Sequence, residues 1–224
     1  MDRVIVFDVN ETLLDLSALD PTFERIFGDA GARREWFGQV LLSAMTLTLT
    51  ERYRDFSAVG AAALEMVAGR RRVNLERADT QNVARAMRRL PPHPDVPDAL
   101  ARLHEAGLRL VALTNSAPDA MREQLANAGL RQYFSDMISV ESARVLKPAL
   151  AVYRTAADRL GVQTSDMLMV AAHGWDLAGA MTAGCATAFV ARPGQVLEPL
   201  FDRPEIVEDD LGAVADRILE VWKG

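Results

Sequence analysis

The residues able to do chemistry in this 224-residue chain gather at a few points. Asp8 follows the apolar run Val4-Ile5-Val6-Phe7, with Thr12 and Leu13 close behind it. Thr114-Asn115-Ser116 follows a second apolar run, Lys147 precedes Pro148, and His173-Gly174-Trp175-Asp176 follows a third run. A carboxylate such as that of Asp8 can displace a leaving group from carbon or phosphorus, leaving an ester or acyl phosphate that water later cleaves. Backbone N–H groups where a strand hands over to a helix, as at Thr114 and Asn115, can hold an anion. A fixed lysine ammonium offsets the repulsion between an anionic substrate and the nucleophile, about 4 kcal/mol at about 4 Å for an effective dielectric near 20. A neutral imidazole such as His173 can accept a proton from water. Plainer roles stand beside these: a turn hydroxyl for Thr12, a helix cap for Thr114 or Ser116, and an ordinary loop residue for His173.

Such groups can meet only if the apolar runs are neighbouring strands. Val4-Ile5-Val6-Phe7, 108–113, 167–172 and 187–190 are short and continuous, the pattern of strands buried on both faces. Helical patterns at 97–106, 119–128 and 150–160 lie between them, each followed by a glycine (Gly107, Gly129, Gly161) in the usual C-terminal place. The alternation predicts an α/β fold with a doubly wound parallel sheet and a Rossmann-like core. Ligands of such sheets bind beyond the carboxyl ends of the strands, where all the polar clusters fall. Residues 15–92 break the alternation and read as helices at 21–27, 33–50, 56–68 and 75–89, closed by Pro91-Pro92-His93-Pro94. The expected organisation is a core of residues 1–14 and 93–224 with an all-helical cap domain, 15–92, that excludes water from the crevice.

A net charge of -6 and a pI near 5.2 argue against nucleic acid or an anionic membrane as a partner. The basic clusters Arg70-Arg71-Arg72 and Arg88-Arg89 read as solvated helix ends. No apolar run approaches the roughly 18 residues of a membrane span, and Met1-Asp2-Arg3 runs straight into the first strand, so no signal peptide is expected. The single cysteine, Cys185, reads as a packing residue, and a reducing cytoplasm fits it. Residues 35–49 are apolar around most of a helical circumference, which exceeds one buried face and predicts a homodimer interface.

Taken in order, Phe7-Asp8-Val9-Asn10-Glu11-Thr12-Leu13, Thr114-Asn115-Ser116, Lys147-Pro148 and Trp175-Asp176 resemble the four motifs of the haloacid dehalogenase superfamily. The stretches Gly129 to Tyr153 and Trp175 to Ala180 are similar to its L-2-haloacid dehalogenase branch. The resemblance implies that Asp8 is the nucleophile, that Thr12 orients it, and that Lys147 neutralises charge beside it. It further implies that Thr114 grips the substrate carboxylate, Asn115 faces the departing halide, and Ser116, Leu13, Tyr153 and Trp175 line the site. Core packing explains Tyr153 almost equally well. Asp176 would hold Lys147 or position the hydrolytic water, and His173 stands where the dehalogenases often carry asparagine.

Most relatives in that superfamily are magnesium-dependent phosphatases with a second aspartate two residues after the nucleophile. Asn10 occupies that place here and has no proton to give. Where the phosphatases bind metal through a Gly-Asp pair, this chain reads Ala171-Ala172. The expectation is therefore a dehalogenase of short (S)-2-haloacids working through an ester on Asp8, with no metal and no cofactor. A small-metabolite phosphatase and a catalytically silent binder of small carboxylates are the alternatives. One departure concerns the leaving group: the branch carries a halide-cradling arginine where this chain has Phe37, and neither Arg33 nor Arg34 is guaranteed by spacing to face the site, so the expected halide pocket is more apolar and formed by Phe37, Trp175 and Asn115.

Overall fold

A computed structural model describes residues 3–222; Met1-Asp2, on which part of the signal-peptide expectation rests, lies outside the described residues. Among the described residues six strands form one parallel sheet: β1 Val4–Phe7, β2 Arg109–Thr114, β3 Asp136–Ser139, β4 Met167–Ala171, β5 Ala186–Val190 and β6 Ile206–Glu208. Their spatial order is β3-β2-β1-β4-β5-β6, the order of a doubly wound sheet. The chain builds outward from β1 to β3 and then returns to β4 on the other side of β1. That reversal opens a crevice at the carboxyl ends of β1 and β4, where a ligand can sit. The four expected strands form within a residue or so of their predicted limits. The edge strands β3 and β6 carry too few apolar residues to announce themselves.

The helices are α1 Asp20–Phe27, α2 Ala32–Leu49, α3 Phe56–Arg71, α4 Arg77–Met87, α5 Val96–Glu105, α6 Pro118–Asn127, α7 Leu150–Leu160, α8 Gly174–Ala183 and α9 Leu211–Val221. Around the sheet, α5 packs against α9 and α7 against α8. The first four helices form the block between β1 and β2. On α2 the stripe Trp36, Phe37, Val40 and Ala44 is buried at helical spacing. Trp36 ties α2 to α3 through Nε1–H donated to Gly60 O at 2.9 Å. The two crossings between this block and the sheet run side by side. Leu14 bridges to Pro92, and Asp15 N donates to Pro91 O at 2.9 Å. No helix among the described residues is long and apolar enough to cross a membrane.

Candidate active site

Phe7 is in register with Val170 on one side and Ala112 on the other, so the next residue, Asp8, emerges at the floor of the crevice. Its N–H still donates to Val170 O at 3.0 Å, which anchors the carboxylate to the sheet. The chain then turns tightly. Leu13 and Leu14 donate N–H to Val9 O, and Glu11 takes a left-handed conformation with φ 67°. That turn brings Thr12 back beside Asp8. Thr12 Oγ1 accepts from Ala172 N at 2.9 Å, so its one hydroxyl proton goes to Asp8 Oδ2 at 2.8 Å. The loop is gripped from outside as well: Arg192, just after β5, donates Nε and Nη2 to Thr12 O at 3.1 and 2.9 Å and pairs through Nη1 with Asp95.

Lys147 enters from the segment before α7, across a cis peptide to Pro148. Its side chain is buried, and Nζ reaches Asp8 Oδ1 at 3.2 Å, Asp176 Oδ2 at 2.7 Å and Leu113 O at 2.7 Å. Those three contacts use all the protons of the ammonium. Tyr153 Oη donates towards Asp176 Oδ1 at 2.6 Å and Asp176 O at 2.8 Å, so the buried tyrosine is a polar partner as well as a packing residue. Gly179 makes the close approach of α8 possible: a Cβ there would lie 2.5 Å from Pro148 O and 2.9 Å from the Tyr153 ring.

The charge balance follows from this packing. Burial alone would push the Asp8 carboxyl up, but Lys147, His173 and Thr12 together outweigh it and hold Asp8 well below the usual carboxylate range. Burial raises the Asp176 carboxyl above its ordinary value, with Lys147 pulling against it and Asp8 adding to it. For Lys147, burial works against the charge, yet the two carboxylates win and keep it an ammonium.

His173 Nδ1 lies 3.3 Å from Asp8 Oδ2, and its ring stacks on Trp175 at 5.1 Å and meets Phe37 of α2 at 5.8 Å. Facing a carboxylate, Nδ1 is the donor of that contact, while Nε2 is buried and has no partner among the described residues. Asn115 Oδ1 accepts from Lys147 N at 2.9 Å, which joins the β2 and α7 sides of the crevice. Thr114 Oγ1 accepts from Ser116 N at 3.2 Å, and Ser116 Oγ accepts from Asn10 Nδ2 at 3.1 Å. Leu13 is fully buried in the turn, its carbonyl accepting from His93 N.

Contacts thus join Asp8, Thr12, Lys147, Asp176, Tyr153, His173, Asn115, Phe37 and Trp175 directly or through one another. Thr114 and Ser116 belong instead to a second chain of bonds that runs through Asn10 to Gln124. Two residues had no obvious sequence signal. Gln124, on α6, donates Nε2 to both Asn10 Oδ1 and Met87 O. Arg192 could have been suspected only from its place at a strand's carboxyl end. Arg33 is buried one helical turn before Phe37 and paired with Asp20, whereas Arg34 is exposed.

Residues 3–184 match the family model of the haloacid dehalogenase-like hydrolases. An (S)-2-haloacid dehalogenase of Xanthobacter autotrophicus is 34% identical over 87% of this chain and 77% of its own length. One from Pseudomonas sp. strain YL is 30% identical over 95% of this chain and 92% of its own. The solved structure of an L-2-haloacid dehalogenase from Xanthobacter autotrophicus with chloropropionic acid covalently bound superposes with a TM-score of 0.91 at 29% identity, covering 99% of each chain.

Proposed function

Because the chain belongs to the haloacid dehalogenase-like hydrolases, we propose that it hydrolyses the carbon–halogen bond of (S)-2-haloacids to give (R)-2-hydroxyacids. The observation that carries this is the setting of Asp8, an ionised carboxylate oriented by Thr12, His173 and Lys147. Oδ2 accepts from two of these groups and Oδ1 from one, so Oδ1 keeps the more available lone pair. Oδ1 attacks Cα from the side opposite the halogen; the new O–Cα bond forms as the halide leaves with its electron pair, and the configuration inverts. Water then adds to the Asp8 carboxyl carbon, and the tetrahedral intermediate collapses by breaking its Cγ–Oδ1 bond: Oδ1 leaves on Cα, takes a proton and becomes the hydroxyl of the (R)-2-hydroxyacid, while Asp8 is restored with one oxygen from water. Thr12 Oγ1–H and His173 Nδ1–H point at the oxygen that becomes the oxyanion. Asp176 holds Lys147 in place, and its raised affinity for a proton suits it to receive one from that water. With every proton of Lys147 engaged, the substrate carboxylate falls to the hydroxyl of Thr114 and the backbone amides after β2.

The donor set fits a magnesium ion poorly. Mg²⁺ takes oxygen ligands at about 2.0–2.1 Å in an octahedron, while here the Lys147 ammonium stands between the two carboxylates and Tyr153 occupies the other oxygen of Asp176. Asn10, two residues beyond Asp8, is bonded to Ser116 and Gln124 and cannot protonate a phosphate leaving group. The phosphatase reading has no such observation in its favour.

In this reading residues 15–92 are a cap domain on a core of 1–14 and 93–224, with Phe37 its contribution to the site. The paired crossings at Leu14–Asp15 and Pro91–Pro92 support it, since they are the covalent links between the two parts. The chain works as a homodimer through the α2–α3 face, where Leu42 and Leu49 stay 60% and 84% exposed. It works in the cytoplasm, where the unpaired, buried Cys185, its thiol pushed up to about 12 by burial, stays reduced. A single turnover of (S)-2-chloropropionate in heavy-oxygen water is expected to place the label in Asp8 and none in the first hydroxyacid released. Label in that product, or halide release that a chelator abolishes, contradicts the mechanism.

A further inference from the structure

A second cavity, of about 120 Å³, lies between the helical block and α6 and reaches the crevice at Ser116. Trp36 and Val40 of α2, Leu64 of α3, and Val83 and Met87 of α4 give it a mainly apolar wall. Trp36 also lies 6.2 Å from the Phe37 ring, whose centroid is 5.8 Å from that of His173. At the inner end stands Gln124, buried, with Nε2 donated to both Asn10 Oδ1 and Met87 O. Two acceptors on Nε2 settle the orientation of the amide, and they leave Oε1 as a buried acceptor with no partner among the described residues. Ser116 Oγ accepts from Asn10, so its hydroxyl proton is also uncommitted within this chain of bonds. Arg88 of the cavity wall pairs with Glu123 of α6 at 2.6 Å.

Nothing in the attack of Asp8 on Cα uses this space. We propose that it receives the Cα substituent of the substrate, and that the enzyme therefore prefers 2-haloacids with an extended, mainly apolar side chain over 2-halopropionates. The inference rests on the dehalogenase reading and narrows its substrate. A dry cavity of about 150 Å³ accommodates benzene, so about 120 Å³ suits a flexible chain of four or so carbons. The free Gln124 Oε1 adds a requirement that a purely apolar pocket would not make: a hydroxyl or amide N–H on the inner part of the substituent is accepted there. A buried acceptor left unmatched discriminates more strongly than an added methylene does.

The test is halide release from (S)-2-bromopropionate, (S)-2-bromohexanoate and a hydroxylated (S)-2-bromohexanoate, with the wild type and two filled-cavity variants, Ala61→Phe on α3 and Ala120→Leu on α6. The expected kcat/KM for the hexanoates is at least about tenfold above that for the propionate, the hydroxylated one being the better. Either variant is expected to remove that advantage while leaving the propionate within about twofold, because the remote contacts and not the reacting centre are lost. Propionate turnover without a preference for length, or an equal loss on all three substrates, overturns the cavity's role and leaves the dehalogenase standing. No halide from any of them overturns both.

Discussion

Replacing Lys147 by Met keeps the length of the side chain and removes the ammonium between Asp8 and Asp176. At the observed 3.2 Å the lost attraction for Asp8 is about 5 kcal/mol with an effective dielectric near 20. If half to all of that is felt, the Asp8 carboxyl rises by about two to four pKa units. The sign is fixed by burial, which raises this carboxyl and meets much less opposition once the lysine is gone. A protonated acid is no nucleophile, so the acid limb of the variant is expected to lie about two to four pH units above that of the wild type. Above that limb the rate stays low as well, because the haloacid anion now meets two uncompensated carboxylates. About 4 kcal/mol of restored repulsion at about 4 Å corresponds to roughly a thousandfold in kcat/KM. The variant is also less stable by about 3–5 kcal/mol, the usual cost of orphaning a buried charge. The assay is the pH dependence of initial halide release, with urea unfolding of the same preparations. Activity within about tenfold of wild type and an unmoved acid limb would refute the electrostatic reasoning.

Three further outcomes follow from the same geometry. Gly179→Ala puts a methyl 2.5 Å from Pro148 O; it is expected to cost about 1–3 kcal/mol in thermal unfolding and, by shifting the Lys147–Pro148 segment, to lower kcat. Asp95 is partly buried, and burial raises its carboxyl, but Arg192 and the Leu211 N–H prevail and lower it. Its stabilisation is therefore complete above about pH 3.9 and lost as the pH falls through the lowered folded value. Asp95→Asn should lower Tm at neutral pH, by an amount that shrinks as the pH falls through the lowered folded value. Leu42→Glu with Leu49→Glu is expected to halve the sedimenting mass without changing the acid limb; an unchanged mass places the interface elsewhere.

Much of this fold could be read directly because its central strands are buried on both faces. β1, β2, β4 and β5 are nearly continuous in apolar residues, and such runs announce themselves whatever surrounds them. The edge strands β3 and β6 owe their existence to a neighbour's free edge rather than to their own composition, and nothing in Asp136–Ser139 or Ile206–Glu208 reveals that. Helix α8 carries Gly179, and the reason for a glycine there, the close approach of Pro148 and Tyr153, lies outside the helix's own sequence.

For the candidate site the division is similar. The amino-acid sequence alone determined which chemical groups stand at strand ends: Asp8 with Thr12, the Thr114–Ser116 turn, Lys147, and the pair His173 and Asp176. It determined that Asn10 brings no acid, since residue type is all that statement needs. Only the tertiary structure decided how those groups share their protons. The three bonds of Lys147, the contact of His173 Nδ1 with Asp8, the second acceptor that pins Gln124, and Arg192 closing on Thr12 O all join residues far apart along the chain. Hydrogen bonds are set by distances of about 3 Å and by direction, and neither exists until β1 and β4 lie side by side and the helical block has closed over them.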